Sequence, residues 1–405
     1  MNQNAAVRIQ LSSQHQGVNV GMTAELFRRY SFIEQSCVRA LAGWFLKAPD
    51  WEMKIQLGYA LFAHAERVYE LHGRLEELRG GNRYANVDPL LERLGEGILH
   101  APDAYSFTAG LVMVLKELLS AYQSYMDAAD ASANAMEIRI LQRAIPDVTA
   151  EIARLSPWIG RGAEQTIVNW QRFLGDLIDQ AGGLDGMAPR ASTEALTPIE
   201  NRFEWPTPMI FDQRLTTSEL GTYESKKALP LRERCIGEFE VYFNEFYAAA
   251  LLATVIFDSW RIHAPRQYFM DIAHHFWDEV RHAEFGAIRL RELGIEPHKV
   301  NMSLFEKSKQ MPIVHRICYL TLGLEVFFMP RKSERARYYE EQGDTLSQLF
   351  ATVDWSDEIN HVRYGKQWVD YFLKDDNRSV EDIQTEIAGY LHGSSSPAAD
   401  RLAPW

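Results

Sequence analysis

Cysteine is scarce: Cys37, Cys235 and Cys318 are far apart and form no CxxC pair. That excludes a thiolate zinc knuckle or a rubredoxin-type iron site built by this chain alone, and it suits a reducing cytoplasm. Positive charge is also short, with 42 Lys and Arg against 55 Asp and Glu and a formal charge of −13. A nucleic-acid partner is therefore disfavoured. The polar start MNQNAAVRIQLSSQHQ lacks the basic and apolar regions of a secretory signal. No uncharged apolar run approaches the length of a membrane span, the stretch AAALLATVIF at 248–257 being ten residues long. No flavin fingerprint or iron–sulfur cysteine set is present. These absences point to a cytoplasmic protein without membrane contact.

What is present is helical periodicity, with alternating strand patterns nearly absent, so the expected fold class is all-α. Residues 1–181 read as a helical domain, 182–229 as a long connector rich in Gly, Pro, Ser and Thr, 230–376 as a second helical block, and 377–405 as a helix with a loose tail. A connector of that length either wraps a domain or lids a site. The second block divides into four long helices, enough for a bundle. Pro330 is expected to break or kink the third of them.

Two of these helices carry the same motif, Asp-Glu-x-x-His-x-x-x-Gly, in FWDEVRHAEFG at 276–286 and DEINHVRYG at 357–365. Glu and His three residues apart leave one helix face about 4.5 Å apart along the axis, close enough to hold one metal ion. With 34 Glu and 12 His in the chain, chance supplies about one Glu-x-x-His. The chain has two, Glu279/His282 and Glu358/His361, and both are embedded in the longer motif.

Each motif is preceded by an acid in an apolar stripe. Glu245 lies 34 residues before Glu279, and Glu325 lies 33 before Glu358. Glu238, on the same face as Glu245, is the rival for the first position. Four buried carboxylates without compensation would be strongly destabilising. Two divalent cations balance them, with Glu245, Glu279 and His282 on one side and Glu325, Glu358 and His361 on the other. A metal-bound imidazole usually donates its second N–H to a carboxylate, so Asp278 is expected to reach His361 and Asp357 to reach His282. Tyr242 and Tyr364, one turn from Glu245 and His361, are candidates for a redox role.

This constellation resembles the ferritin-like di-iron carboxylate proteins, and with Asp before each Glu it looks most like their oxygen-activating branch. The segment from LTLGLEVFF to GKQWV also resembles an uncharacterised bacterial ferritin-like family related to tRNA hydroxylases. Over residues 230–375 the resemblance implies a four-helix bundle holding two iron ions, or manganese, or one of each. It implies an enzyme that activates O2 to oxidise a small organic substrate, with electrons from an external reductase or from the substrate itself. The N-terminal half resembles a degenerate copy of the bundle. One alignment places Tyr69 where His282 stands; matching Phe62 to Trp277 instead places His64 and Arg67 at the ligand positions. Neither keeps Glu-x-x-His, so no di-metal centre is expected there, and that half would supply a wall, a homodimer surface or part of a pocket. The alternatives are an iron-handling ferroxidase or peroxide scavenger, a tRNA-hydroxylase-like enzyme, and a metal-free scaffold.

Overall fold

The computed structural model describes residues 17–79, 88–191, 199, 202–206 and 209–392. The expected tail at 393–405 lies outside them. The described chain is helical apart from two short strands. It runs α1 (Val20–Lys47), α2 (Trp51–Glu77), α3 (Pro89–Leu99), α4 (Ala104–Ala128), α5 (Ala135–Ile159), α6 (Glu164–Gln180), β1 (Thr216–Thr217), α7 (Tyr223–Lys227), α8 (Leu231–Phe243), α9 (Phe246–Asp258), α10 (Arg266–Glu292), β2 (Lys299–Val300), α11 (Ser303–Ser308), α12 (Ile313–Cys318), α13 (Val326–Gln342), α14 (Thr345–Leu373) and α15 (Val380–His392). Local signals fix several starts. The side chains of Asn19, Asp103 and Asp344 accept hydrogen bonds from backbone N–H groups in the first turns of α1, α4 and α14, satisfying donors that a helix start leaves open.

The helices form two groups. In the first, α1 packs on α2, α4 on α5, and α2 on α5; in the second, α8 and α9 pack on α10, α13 on α14, and α10 on α14. The groups meet where α2 lies on α10 and α1 on α9, and one hydrophobic core runs through both. At that junction the Phe62 and Trp277 rings stack with centroids 4.4 Å apart, and Phe45 meets Phe276 edge-on at 5.1 Å.

The described parts of the connector are tied down rather than free. Phe203 stacks on Phe257 at 5.3 Å and meets Trp44 at 6.0 Å. Thr216 and Thr217 pair in parallel with Lys299 and Val300, and α7 packs on α8.

Two expectations about the second helical block need correction. The stretch 231–264, which reads from the sequence as one long helix ending before Pro265, is not one helix: it is interrupted at Asn244 and Glu245, where Glu245 N bonds Tyr242 O at 3.0 Å and Tyr247 N bonds Asn244 O at 3.0 Å. These three-residue bonds tighten the chain into a turn, held from outside by Asn244, whose amide donates to Asn301 O (3.1 Å) and accepts from Asn301 N (2.6 Å). Nor does Pro330 break its helix, because α13 runs through it. The irregularity lies just upstream, where Tyr319–Glu325 forms a π-helical segment ending on Glu325.

Three helical stretches, Ala104–Ala128, Leu231–Asp258 and Ile313–Gln342, contain windows long and apolar enough to cross a membrane, with 67%, 83% and 56% of those windows buried inside the protein. In the last two, that apolar surface surrounds Glu245 and Glu325.

Candidate metal centre

Glu245, Glu279, His282, Glu325, Glu358 and His361 converge, although they come from four separate stretches of chain. All six are buried, from fully enclosed for the histidines to 8% exposed for Glu245. Glu245 is projected by the turn between α8 and α9, Glu279 and His282 by α10, Glu325 by the end of the π-helical segment, and Glu358 and His361 by α14.

The glycine of each motif makes the convergence possible. A Cβ on Gly286 would lie 2.2 Å from Phe243 N and 2.6 Å from Phe243 Cα, and one on Gly365 would lie 2.0 Å from Thr321 Oγ1. Only glycine lets α10 approach α8, and α14 approach the π-helical segment, so closely. Phe243 lies two residues before Glu245 and Thr321 four before Glu325, so each approach sits beside the segment that projects one of these acids.

The ligand atoms fall into two groups, each with members within 4.8 Å of one another: His275, Glu279, Glu325 and His361, and Glu245, His282, Asp354 and Glu358. This partition differs from the sequence expectation, because Glu279 sides with Glu325 and His361 while Glu358 sides with Glu245 and His282. The two motif glutamates thus cross between halves, as groups that bridge two ions would. Glu238 does not compete with Glu245. It is held by Arg234 Nε at 2.9 Å and the Tyr339 hydroxyl at 2.8 Å.

Both aspartates stand where expected. The Asp278 carboxylate lies 3.1 Å from His361 Nε2, and that of Asp357 lies 3.2 Å from His282 Nε2. Each imidazole is thereby oriented with Nδ1 facing inward: His282 Nδ1 lies 3.0 Å from Glu245 Oε2, and His361 Nδ1 lies 3.5 Å from Glu279 Oε1. Of the two tyrosines, Tyr242 donates to Asp354 at 2.8 Å, whereas Tyr364 meets His274 at 3.2 Å, outside the ring of carboxylates.

Two central residues, His275 and Asp354, have no counterpart in the sequence expectations, and a third, Lys332, reads from the sequence as part of a solvated basic face with Arg331, Arg335 and Arg337 but is buried, as is Arg335. His275 stacks on His361 with ring centroids 3.8 Å apart, and its Nε2 is 2.8 Å from Glu325 Oε1. Asp354 belongs to the second ligand group. Lys332 places Nζ 2.5 Å from Glu358 and 2.6 Å from Asp354. A positional signal existed for all three. His275 and Asp354 each lie four residues before a motif glutamate, and Lys332 lies seven after Glu325, which are the spacings that return to the same helix face.

The electrostatics are those of an over-acidic interior. Burial drives Glu245, Glu325 and Glu358 upward towards the protonated form. Glu279 escapes: burial pushes it up, but hydrogen bonds from His275 and His282 outweigh that and hold it at about 2. His275 is depressed by burial and raised more strongly by Glu325 and Glu279, reaching about 10. Burial and then Asp357 lift Asp278 to about 6.

The donor set fits divalent ions. Glu325 Oε2, Glu358 Oε2 and His361 Nδ1 are buried without a hydrogen-bond partner, and Glu245 Oε2 and His282 Nδ1, though 3.0 Å apart, do not meet with hydrogen-bond geometry; such atoms are normally satisfied. The atoms left orphaned are the ones that a pair of cations would coordinate. With the imidazoles neutral, as ligation requires, and Arg335 paired with Glu238, the five carboxylates of Glu245, Glu279, Glu325, Asp354 and Glu358 against the ammonium of Lys332 leave four negative charges, which two divalent ions would neutralise.

The N-terminal group answers the same problem differently. Glu34 on α1 and Glu151 on α5 are fully buried. Arg67 bridges them, with Nε 2.7 Å from Glu34 and Nη2 2.9 Å from Glu151. His64 contacts both acids, and the Tyr122 hydroxyl donates to Glu34 at 2.7 Å. Of the residues in the two alignments, His64 and Arg67 meet the buried acids, whereas the Tyr69 hydroxyl bonds Gln267 at 3.0 Å, away from them. Here a guanidinium supplies the compensating charge, although His64 Nε2, Arg67 Nη1 and Glu151 Oε1 also lack a hydrogen-bond partner.

The second group also opens into a cavity of about 400 Å³. Glu245, Glu279, Glu325 and Glu358 form part of its wall; Val241, Ala248, Leu320, Leu324 and Phe328 supply apolar surface, and residues 221–224 and Lys226 of the connector close one side. The connector therefore does cover a site.

Residues 241–401 match a family model described as "Protein of unknown function (DUF455)", a span that includes all six predicted ligands. No curated protein and no solved structure matches the chain. Over that C-terminal span the chain is similar to a family whose function is itself undefined.

Proposed function

We propose that the protein is a non-haem di-iron oxidase or oxygenase that activates O2 to oxidise a small organic substrate. The observation that carries this reading is the set of five orphaned ligand atoms facing one another beside an apolar-lined cavity. Glu325, His361 and His275 would hold one ion, Glu245, His282 and Asp354 the other, with Glu279 and Glu358 shared. Two iron ions in this N/O donor set would supply the electrons and coordination positions for O2 reduction.

The chain's own residues have definable tasks. Asp278 and Asp357 accept the Nε2–H of His361 and His282, fixing the tautomer that offers Nδ1 inward. Lys332 offsets one excess carboxylate and holds Glu358 in place. Tyr242, through its hydrogen bond to Asp354, is better placed than Tyr364 for a redox role. The apolar wall excludes water and gives a substrate somewhere to lie, which favours an oxidase over iron storage.

Iron per chain and O2 uptake after anaerobic loading test the proposal. The expectation is two ions per chain and rapid O2 consumption by the reduced protein, with both lost in Glu279→Ala and His361→Ala while far-ultraviolet circular dichroism is preserved. Full iron content in both variants would overturn it.

A further inference from the structure

Away from the carboxylates of the candidate metal centre, the charged groups around the cavity do not all form ion pairs, and the exceptions share one sign. Glu224 faces Lys227 at 3.5 Å. Glu238 is held by Arg234 and, at 3.3 Å, by Arg335. Lys332 is engaged by Asp354 and Glu358. Two cations remain. Lys226, only 5% exposed, donates from Nζ to the backbone carbonyl of Gly221 at 3.1 Å. Arg331 is half-buried and lies over aromatic rings, 4.8 Å from the Phe327 centroid, 5.2 Å from Phe328 and 5.7 Å from Tyr223. Among the described residues neither forms an ion pair, and both line the cavity.

Their positions set a length. Arg331 is six residues beyond Glu325 on a continuous helical path, about 9 Å along the axis. The stem of Lys226 lies against Gly237, eight residues before Glu245, or about 12 Å along α8. Between these cations and the ligand carboxylates the lining is Val241, Ala248, Leu320, Leu324 and Phe328. A buried ammonium without an ion-pair partner is costly. Burial, reinforced by Arg335 and Lys299 and only partly offset by Glu238 and Glu240, depresses Lys226 to about 8. An anion arriving from solution relieves that cost, whereas a cationic ligand adds to it.

We propose that the cavity selects a small amphipathic carboxylate, its acid group bound by Lys226 and Arg331 and its apolar body directed towards Glu245, Glu279, Glu325 and Glu358. The inference deepens the oxidase reading by naming its substrate class, and it rests on that reading for the fate of the ligand but not for its binding. The guanidinium of Arg331 matches a carboxylate in geometry, and the aromatic rings around it limit its competing contacts with water.

Calorimetric titration of the full-length protein with octanoate, octan-1-ol and octylammonium tests this, with metal content measured on the same samples. Octanoate should bind at least about tenfold more tightly than the alcohol, as expected for charge-assisted hydrogen bonds, and octylammonium should bind worst. Arg331→Gln and Lys226→Met should each weaken octanoate binding by about tenfold and leave octanol binding unchanged, which also reports that both variants are folded. Equal affinity for acid and alcohol, preference for octylammonium, or octanoate binding indifferent to both substitutions would overturn the proposal. Selective octanoate binding by protein that takes up no metal supports the inference and sinks the oxidase; a loaded di-metal centre without acid selectivity does the reverse.

Discussion

His282 and His361 present Nδ1 to the site because Asp357 and Asp278 occupy Nε2, so the two aspartates determine whether the imidazoles can act as ligands at all. Asp357→Asn should lower metal affinity by about 10–100-fold, read by competition with a chelator of known affinity; an unchanged affinity would show that the aspartate is incidental. This pairing was legible in the sequence because a doubled motif implies two facing helices, and the residue before each glutamate then faces the opposite histidine. His275 and Asp354 were not, since they occupy matching positions four residues before Glu279 and Glu358 yet differ in type, so no repeat announces them. Lys332 was masked by its neighbours: Arg331, Arg335 and Arg337 make the segment read as a solvated basic face, whereas Lys332 and Arg335 point inward.

The long helices were readable from their period, but the two places where they deform were not. The turn at Asn244 and Glu245 depends on the distant loop at Asn301, and the π-helical segment Tyr319–Glu325 leaves no compositional trace. Pro330 signalled irregularity in the right helix at the wrong turn. Both deformations carry a ligand glutamate, and both face a motif glycine. Gly286→Ala would drive a methyl group into the backbone of Phe243 and should cost about 1–3 kcal/mol in urea unfolding, the range for overpacking. The nearest atoms to a methyl at Gly365 belong to the side chain of Thr321, so the cost of Gly365→Ala should be largely recovered by adding Thr321→Ala, a coupling a double-mutant cycle would detect. Absence of that rescue would place the strain elsewhere.

Across the whole molecule, two helix groups meet the problem of buried acids in different ways, one with two acids bridged by Arg67 and His64 and the other with five acids around the single ammonium of Lys332. The N-terminal solution is covalently built in, so Arg67→Met should destabilise the protein by about 3–5 kcal/mol, the range for breaking a buried ion pair, while metal content stays unchanged. Its pH dependence has a definite sign. Burial pushes Glu34 up, but Arg67 and His64 outweigh it and hold the group at about 2, below its usual 4.5. The stability it contributes is therefore complete above the unfolded value and fades as pH falls from 4.5 towards 2. In Glu34→Gln that part of the acid unfolding profile should flatten.

All of this turns on whether cations occupy the ring of Glu245, Glu279, Glu325, Glu358, His282 and His361. Anomalous diffraction at the iron edge, from crystals of protein loaded with ferrous iron under anaerobic conditions, addresses it most directly. The account predicts two peaks within bonding distance of those side chains, one beside Glu325 and His361 and one beside Glu245 and His282. A difference map without anomalous signal there, with the carboxylates still gathered around Lys332, would contradict it.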